Sequence, residues 1–357
     1  MVDIRNIYYM LAYTFDVLHE DQFSSLASEP FEYAADLLAA ILAKGMSGLV
    51  RRGLGRAYMP EIVCLSSPAG KIKLAESMHE RTLLRKQLVC ERCVFTENIP
   101  ANMVLKSTAY ILLSCPEVAA QRKAELKKSL LFFSEVERVD LRRVRWDFIA
   151  YDKNNAFYKL LIELCRLVVE GLLMSERGGK QKWKRLLDDQ KMYQLFERFV
   201  RAYYKKHYPE CRVSAATVMW NLTGGTPDYL PTMKSDVTIF YRGKVLIIDT
   251  KFYAHSMQVR EEYGSRTIHS ENLYQIFTYV KNRDCKNTGD VSGLLLYAKT
   301  DENTVPDAEY RFGKNRISVK ALDLGLKFPA ISAQLDAYLT LLNTDRLPRR
   351  NTAQFYF

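Results

Sequence analysis

Glycine and proline are scarce in this chain, 16 and 11 of 357 residues, which excludes collagen-like and low-complexity architectures. No apolar run approaches the ~20 residues that a membrane-spanning helix needs, and no membrane partner is expected. The opening residues, MVDIRNIYYM, lack a basic stretch followed by an apolar one, so no secretory signal is read there. Neither GxxxxGK[ST] nor GxGxxG occurs, so a nucleotide site within the chain is not expected. The seven cysteines of a long, signal-free chain point to a reducing, cytoplasmic setting and not to a disulfide framework. Cys90 and Cys93 form one CxxC. No second CxxC or HxxxH lies nearby to complete a four-ligand zinc site, and the pair reads as two ordinary thiols on a strand.

What is present is an ordinary globular composition, 48% hydrophobic and 26% charged. The length suggests two domains. A net charge of +11 is a mild argument for a polyanionic partner. Ile4, Ile7, Tyr8, Leu11, Phe15 and Leu18 recur at helical spacing and form one apolar stripe. A second helix is expected from about Glu32 to Leu49. From Arg51 to about Thr96 the segments IVCL, KIKLA and QLVCERCVF are short and partly alternating, and read as strands of a small β-unit. Helices follow over Asn102–Leu113, Ala119–Phe133 and Ala156–Met174, with a basic stretch, ERVDLRRVRW, between the last two. The polar SERGGKQKWKR at 175–185 is the best linker candidate. It divides the chain into an N-terminal region, 1–180, and a C-terminal domain, 181–357.

The second half has a different rhythm. A helix is expected over Asp188–His207, then strands over Arg212–Trp220, Ser235–Tyr241 and Lys244–Thr250. The loop TGGTPDYLP interrupts the first two. A helix over Ser270–Lys281 and strands over Gly293–Ala298 and Arg316–Lys320 complete a pattern that suits an α/β sandwich around a mixed sheet.

The stretch Met233–Lys251 carries the chemistry. It reads as a β-hairpin turning at Arg242-Gly243. Asp236 opens the first strand, and Asp249 and Lys251 close the second, so all three fall at one end. Asp249 and Lys251 are two apart and share a face. The KVLII run marks a buried strand, from which a carboxylate and an amine emerge at a cost unless paired, hydrated or metal-bound. Two carboxylates can hold Mg²⁺, a hard ion that prefers oxygen ligands. The metal lowers the pKa of a bound water and offsets charge on a phosphodiester, while a lysine stabilises developing negative charge. The D-x12-D-x-K spacing therefore fits a PD-(D/E)xK nuclease core; a salt bridge at a hairpin end is the plainer alternative. Glu197, on the preceding helix, is a candidate third acid, or a partner of Arg201 at i,i+4. Gln275 and Tyr279 share one helical face about 25 residues after D-x-K, like the QxxxY of RecB-like nucleases. Asp228 sits in a Gly/Pro loop and reads as a turn residue. His255 and His269 follow D-x-K and read as surface histidines.

Seven blocks carry a wider resemblance: Ile4–Tyr13 (IRNIYYMLAY), Gly70–Leu74 (GKIKL), Asn102–Thr108 (NMVLKST), Leu230–Asp236 (LPTMKSD), Ile248–Tyr253 (IDTKFY), His269–Gln275 (HSENLYQ) and Gly293–Tyr297 (GLLLY). In that order the chain resembles the McrC family, the nuclease subunits of modification-dependent McrBC restriction systems. The resemblance implies an N-terminal α/β partner-docking region and a C-terminal PD-(D/E)xK α/β sandwich. It also implies a partner, an McrB-like AAA+ GTPase ring that binds GTP and recognises methylated cytosine in double-stranded DNA. Asp236, Asp249 and Lys251 match the family's catalytic positions. Asp236, Asp249 and Glu197 are then the Mg²⁺ ligands. Arg51, Arg52 and Arg56 are candidates for stimulating GTP hydrolysis, or simply a solvated basic loop. Two other functions stay open: a non-catalytic GTPase activator with a vestigial nuclease fold, and a free-standing RecB-like nuclease.

Overall fold

A computed structural model describes residues 4–14, 26, 29, 31, 33–149, 156–176, 189–252, 257–260, 265–299, 305–344 and 347–351. The chain forms two compact units, one of residues 32–186 and one of residues 1–31 with 187–357. The first helix, α1 (Ile4–Thr14), was grouped by the sequence with the N-terminal region but belongs to the second unit. Its Asn6 side chain donates to the carbonyls of Leu324 and Leu326 at 2.7 and 2.8 Å, and Tyr9 stacks on Phe328. Phe15, Leu18 and most of the linker candidate lie outside the described residues.

The unit of residues 32–186 holds α2 (Ala34–Arg52), β1 (Ala57–Leu65), β2 (Lys71–Ile72), α3 (Leu74–His79) and β3 (Leu88–Thr96). It continues with α4 (Pro100–Ser114), α5 (Ala120–Leu130) and α6 (Ala156–Glu176). The expected β-unit is present as an antiparallel sheet in the order β1-β3-β2. Asn102 clamps both of its stems. The Asn102 amide donates to the Gly55 and Glu97 carbonyls at 3.0 and 2.8 Å and accepts from Tyr158 Oη at 2.7 Å. Lys106, one turn on, donates to the carbonyls of Phe133 and Val136. Cys90 is buried and Cys93 exposed, since residues three apart on a strand face opposite ways. The basic stretch forms two short 3-10 turns, Leu141–Arg143 and Trp146–Phe148.

The other unit adds α7 (Asp189–His207), β4 (Arg212–Ser214), β5 (Thr217–Val218), β6 (Met233–Lys234), β7 (Val237–Tyr241) and β8 (Lys244–Lys251). A β9–β10 ribbon (Met257–Arg260 with Ser265–Ile268) precedes α8 (Ser270–Arg283). Then come β11 (Val291–Lys299), β12 (Ala308–Phe312), β13 (Asn315–Asp323) and α9 (Phe328–Tyr338). Six strands form a mixed sheet in the order β12-β13-β11-β8-β7-β4, with β8, β11 and β13 parallel. The mixed α/β fold class holds.

The single strand expected over Arg212–Trp220 is instead two pieces in different sheets. β4 edges the large sheet, while β5 pairs with β6 in a separate ribbon. Ser235 accounts for the break, because its N–H and Oγ engage the Ala216 carbonyl. That contact pulls the chain out of the ladder.

The hairpin β7–β8 turns at Arg242-Gly243, both at positive φ (48° and 80°), the backbone of a type I′ turn. On one face of the sheet Val245, Ile247, Leu295, Tyr297 and Ile317 pack against Ile276 and Val280 of α8. Gly293 allows that approach, since a Cβ there would come within 2.9 Å of both helix side chains. Leu246, Ile248, Leu294 and Leu296 point the other way and are equally buried, beneath α7 and the closing turn Leu339–Leu342. Central strands covered on both faces read as near-continuous apolar runs, which is why β8 and β11 were legible.

Candidate active site

The register Val237↔Ile248 sets Asp236, one residue before β7, opposite Asp249. Asp249 has no exposed surface. Its Oδ2 lies 2.8 Å from Lys251 Nζ, and neither of its oxygens has a partner in hydrogen-bond geometry. Burial pushes the Asp249 carboxyl well above the usual carboxylate range. The Lys251 ammonium opposes that rise, and the Asp236 and Glu197 carboxylates add to it. An ionised group in this position is held there against its desolvation.

Lys251 is positioned by a chain of side chains. Its Nζ donates to Gln275 Oε1 at 3.0 Å, and Gln275 Nε2 meets Tyr279 Oη at 2.8 Å. Tyr279 Oη in turn donates to the Lys234 carbonyl at 3.2 Å. The QxxxY pair thus braces the lysine from α8 and ties it to the strand leading into Asp236. Burial raises the Tyr279 hydroxyl pKa, so it stays a donor.

Asp236 is held differently. Its Oδ2 accepts from the Thr250 N–H and Oγ1, each at 2.7 Å, and Tyr193 Oη donates to it at 3.2 Å. Arg201 donates both to the Asp236 carbonyl and to Glu197 Oε1, each at 2.8 Å. Glu197 is therefore ion-paired with Arg201, the plainer of its two readings. It acts on Asp249 through its field and not by contact.

Sequence reasoning misses Tyr193 and Thr250 as site residues and names Arg201 only as the partner of Glu197. Tyr193, Glu197 and Arg201 recur every four residues on α7, and that stripe was the available signal. Asn272 Nδ2 donates to Tyr297 Oη at 3.0 Å, and Tyr297 lies in register with Lys251. This gives the HSENLYQ and GLLLY blocks a shared task beside the lysine.

Other candidates fall elsewhere. Asp228 occupies an exposed turn closed by Leu230 N–H to the Pro227 carbonyl. His269 directly precedes α8, and His255 lies outside the described residues. Arg56 is paired with Glu97 at 2.7 Å, and Arg52 lies over the Phe157 ring.

Among the described residues, no three His, Cys, Asp or Glu side chains converge as a metal cage. The Asp236–Asp249 pair still fits Mg²⁺. That ion takes one or two carboxylates and keeps several waters, and Asp249 offers a buried carboxylate with an unsatisfied oxygen.

Residues 3–298 match the profile of a family described as "McrBC 5-methylcytosine restriction system component". The chain belongs to this family. This McrBC family member is 26% identical over 347 residues to the "Type IV methyl-directed restriction enzyme EcoKMcrBC" of Escherichia coli strain K12, covering 95% of this chain and 99% of that one. Among solved structures it is similar to a Thermococcus gammatolerans half-complex of McrB AAA+ hexamers with bound McrC. The identity there is 16% and the TM-score 0.49, over 94% of this chain and 75% of that one. A second Thermococcus gammatolerans McrBC complex aligns at 15% identity and a TM-score of 0.38, over 57% and 58% of the two chains. Among the described residues of this family member, no helix is long and apolar enough to cross a membrane.

Proposed function

We propose that this chain is the McrC-type nuclease subunit of its restriction system, an Mg²⁺-dependent endonuclease cutting double-stranded DNA that carries methylated cytosine. The observation that carries the reading is the buried Asp249 carboxylate, ion-paired to Lys251 beside Asp236. Folding alone gains nothing from that group, because an apolar residue at the same place would avoid its desolvation. Asp236 and Asp249 would hold Mg²⁺, which when bound supplies charge neutralisation and a water of lowered pKa. Lys251, braced by Gln275 and Tyr279, stabilises the charge that grows on the phosphoryl oxygens as water attacks phosphorus and the P–O bond breaks. Tyr193 and Thr250 fix the Asp236 carboxylate in one orientation.

Target choice and NTP energy come from a second protein, an McrB-like AAA+ GTPase ring that binds GTP and reads the methylated base. The chain docks on it through the unit of residues 32–186 and acts in the cytoplasm. The support for docking is apolar side chains exposed on the β-unit: Ile62 and the adjacent pair Tyr58 and Phe95, whose ring centroids lie 5.1 Å apart, exposed apolar surface of the kind that marks interaction sites.

A four-way assay tests this reading, using methylated and unmethylated plasmid with GTP and Mg²⁺, and adding or withholding the cognate GTPase. Cutting only with methylation, GTP and partner is expected. Cutting without partner would favour the free-standing nuclease, and GTPase stimulation with no cutting would favour the activator.

A further inference from the structure

At the β4 edge of the large sheet, an open cleft of about 500 Å³ is lined by Arg212, Ser214, Thr217, Phe240 and Arg283. Both arginines flank the one aromatic ring, their guanidinium carbons 5.7 and 5.4 Å from the Phe240 centroid. Both are exposed. Among the described residues neither has a carboxylate partner, and no carboxylate lines the cleft. Two guanidiniums gathered on one ring without a counter-charge repel each other, and with two hydroxyls beside them they make a donor-rich wall that favours an anion.

The cleft belongs to the same sheet as the site described above. Its wall residue Ala216 accepts from Ser235 N–H at 3.0 Å, and Ser235 adjoins Asp236. Phe240 stands directly opposite Val245, which shares a sheet face with Asp249, four residues further along β8. At ~3.3 Å per residue, the cleft lies about 13 Å along the sheet from Asp249.

We propose that this cleft grips the backbone of the DNA that is cut: Arg212 and Arg283 bind phosphates away from the scissile one. The proposal rests on the nuclease reading and adds to it a second point at which the substrate backbone is held. It assigns these arginines to substrate binding, with phosphate and not base as the recognised group, so they contribute affinity without sequence preference.

The test is fluorescence anisotropy of the full chain on a short labelled duplex, without divalent ion, between about 50 and 200 mM KCl. Each phosphate contact contributes about 0.9 to the slope of log affinity against log salt, so R212A/R283A should flatten that slope by about 1.8. Its affinity should also fall at least about tenfold near 100 mM salt, and R212K/R283K should keep most of the slope because it keeps the charge. R212Q/R283Q is the second charge-removing variant should the alanine pair melt early. Equal slopes for the parent and both charge-removing variants would overturn the proposal. So would flattening by R212K/R283K as large as that by R212A/R283A. Plasmid cleavage by the parent with its GTPase is run in parallel. If the parent does not cut, the nuclease reading falls; if it cuts while the slopes agree, only the cleft assignment falls.

Discussion

β8 and β1 are nearly equal in length, eight and nine residues, yet β8 is buried along almost its whole length while no residue of β1 is fully buried. β8 lies between two parallel or antiparallel neighbours with helices above and below, so its composition is nearly all apolar until Asp249 and Lys251. β1 belongs to a three-stranded sheet on which Tyr58 is 72% and Ile62 61% exposed. In β8 the anomaly is charge inside, and in β1 it is apolar surface outside. Each departs from what stability alone would select, and the proposed function gives each a different use: chemistry in the first, contact with another molecule in the second.

That contrast can be broken most sharply at Lys251. Lys251→Ala should lower cleavage about 10²–10³-fold while GTPase stimulation stays near the parent's at a temperature where the variant is folded. Retained cutting by a clean preparation would remove Lys251 from the site.

A pH titration of stability probes the unit that holds β8 next. Burial, with help from Arg350, holds His207 well below its usual range, at about 4, and Tyr13 Oη lies 2.7 Å from its Nε2. A depressed pKa means that the unfolded chain takes up the proton first. The stability from neutral His207 is fully present above about pH 6.5 and is lost as pH falls toward 4, by at most about 3 kcal/mol. Denaturant titrations of the parent and His207→Gln should diverge over that window, with the variant flatter. Parallel curves would mean that His207 is not held neutral.

At the β-unit, Tyr58→Ala with Ile62→Lys should raise the GTPase concentration needed for half-maximal stimulation by about 10–30-fold, the size of an interface hot spot. The unit's own circular dichroism should not change. An unchanged titration would leave the exposed apolar side chains without this function.

The smallest effect is expected at Glu197. If its work is to pair with Arg201, Glu197→Gln should change cleavage less than about tenfold, since such pairs contribute roughly 1 kcal/mol or less. A loss approaching that of Lys251→Ala would instead make Glu197 a metal ligand and bring a third carboxylate into the site.

The hairpin, its turn and the shared end of Asp236, Asp249 and Lys251 were legible because a two-residue turn and strand alternation are local rules. Gln275 and Tyr279 were legible for the same reason, through helical spacing. The division of 212–220 between two sheets was not, because it depends on Ser235, some twenty residues away in sequence. Nor was the loyalty of α1 to the C-terminal unit, where Asn6 meets carbonyls more than 300 residues distant. β12 and α9 went unread as well: β12 is a mostly exposed edge strand, and α9 has only a weakly amphipathic face.

By itself the sequence determined the mixed α/β class and the paired carboxylates with their lysine, both of which rest on spacing within a few dozen residues. The tertiary structure alone decided that Asp249 is fully buried with an unsatisfied oxygen, that Glu197 turns to Arg201, and that two distant arginines share the ring of Phe240. Those facts depend on which surfaces meet when the chain closes. Desolvation and charge pairing are properties of that closed arrangement, and no periodicity along the chain encodes them.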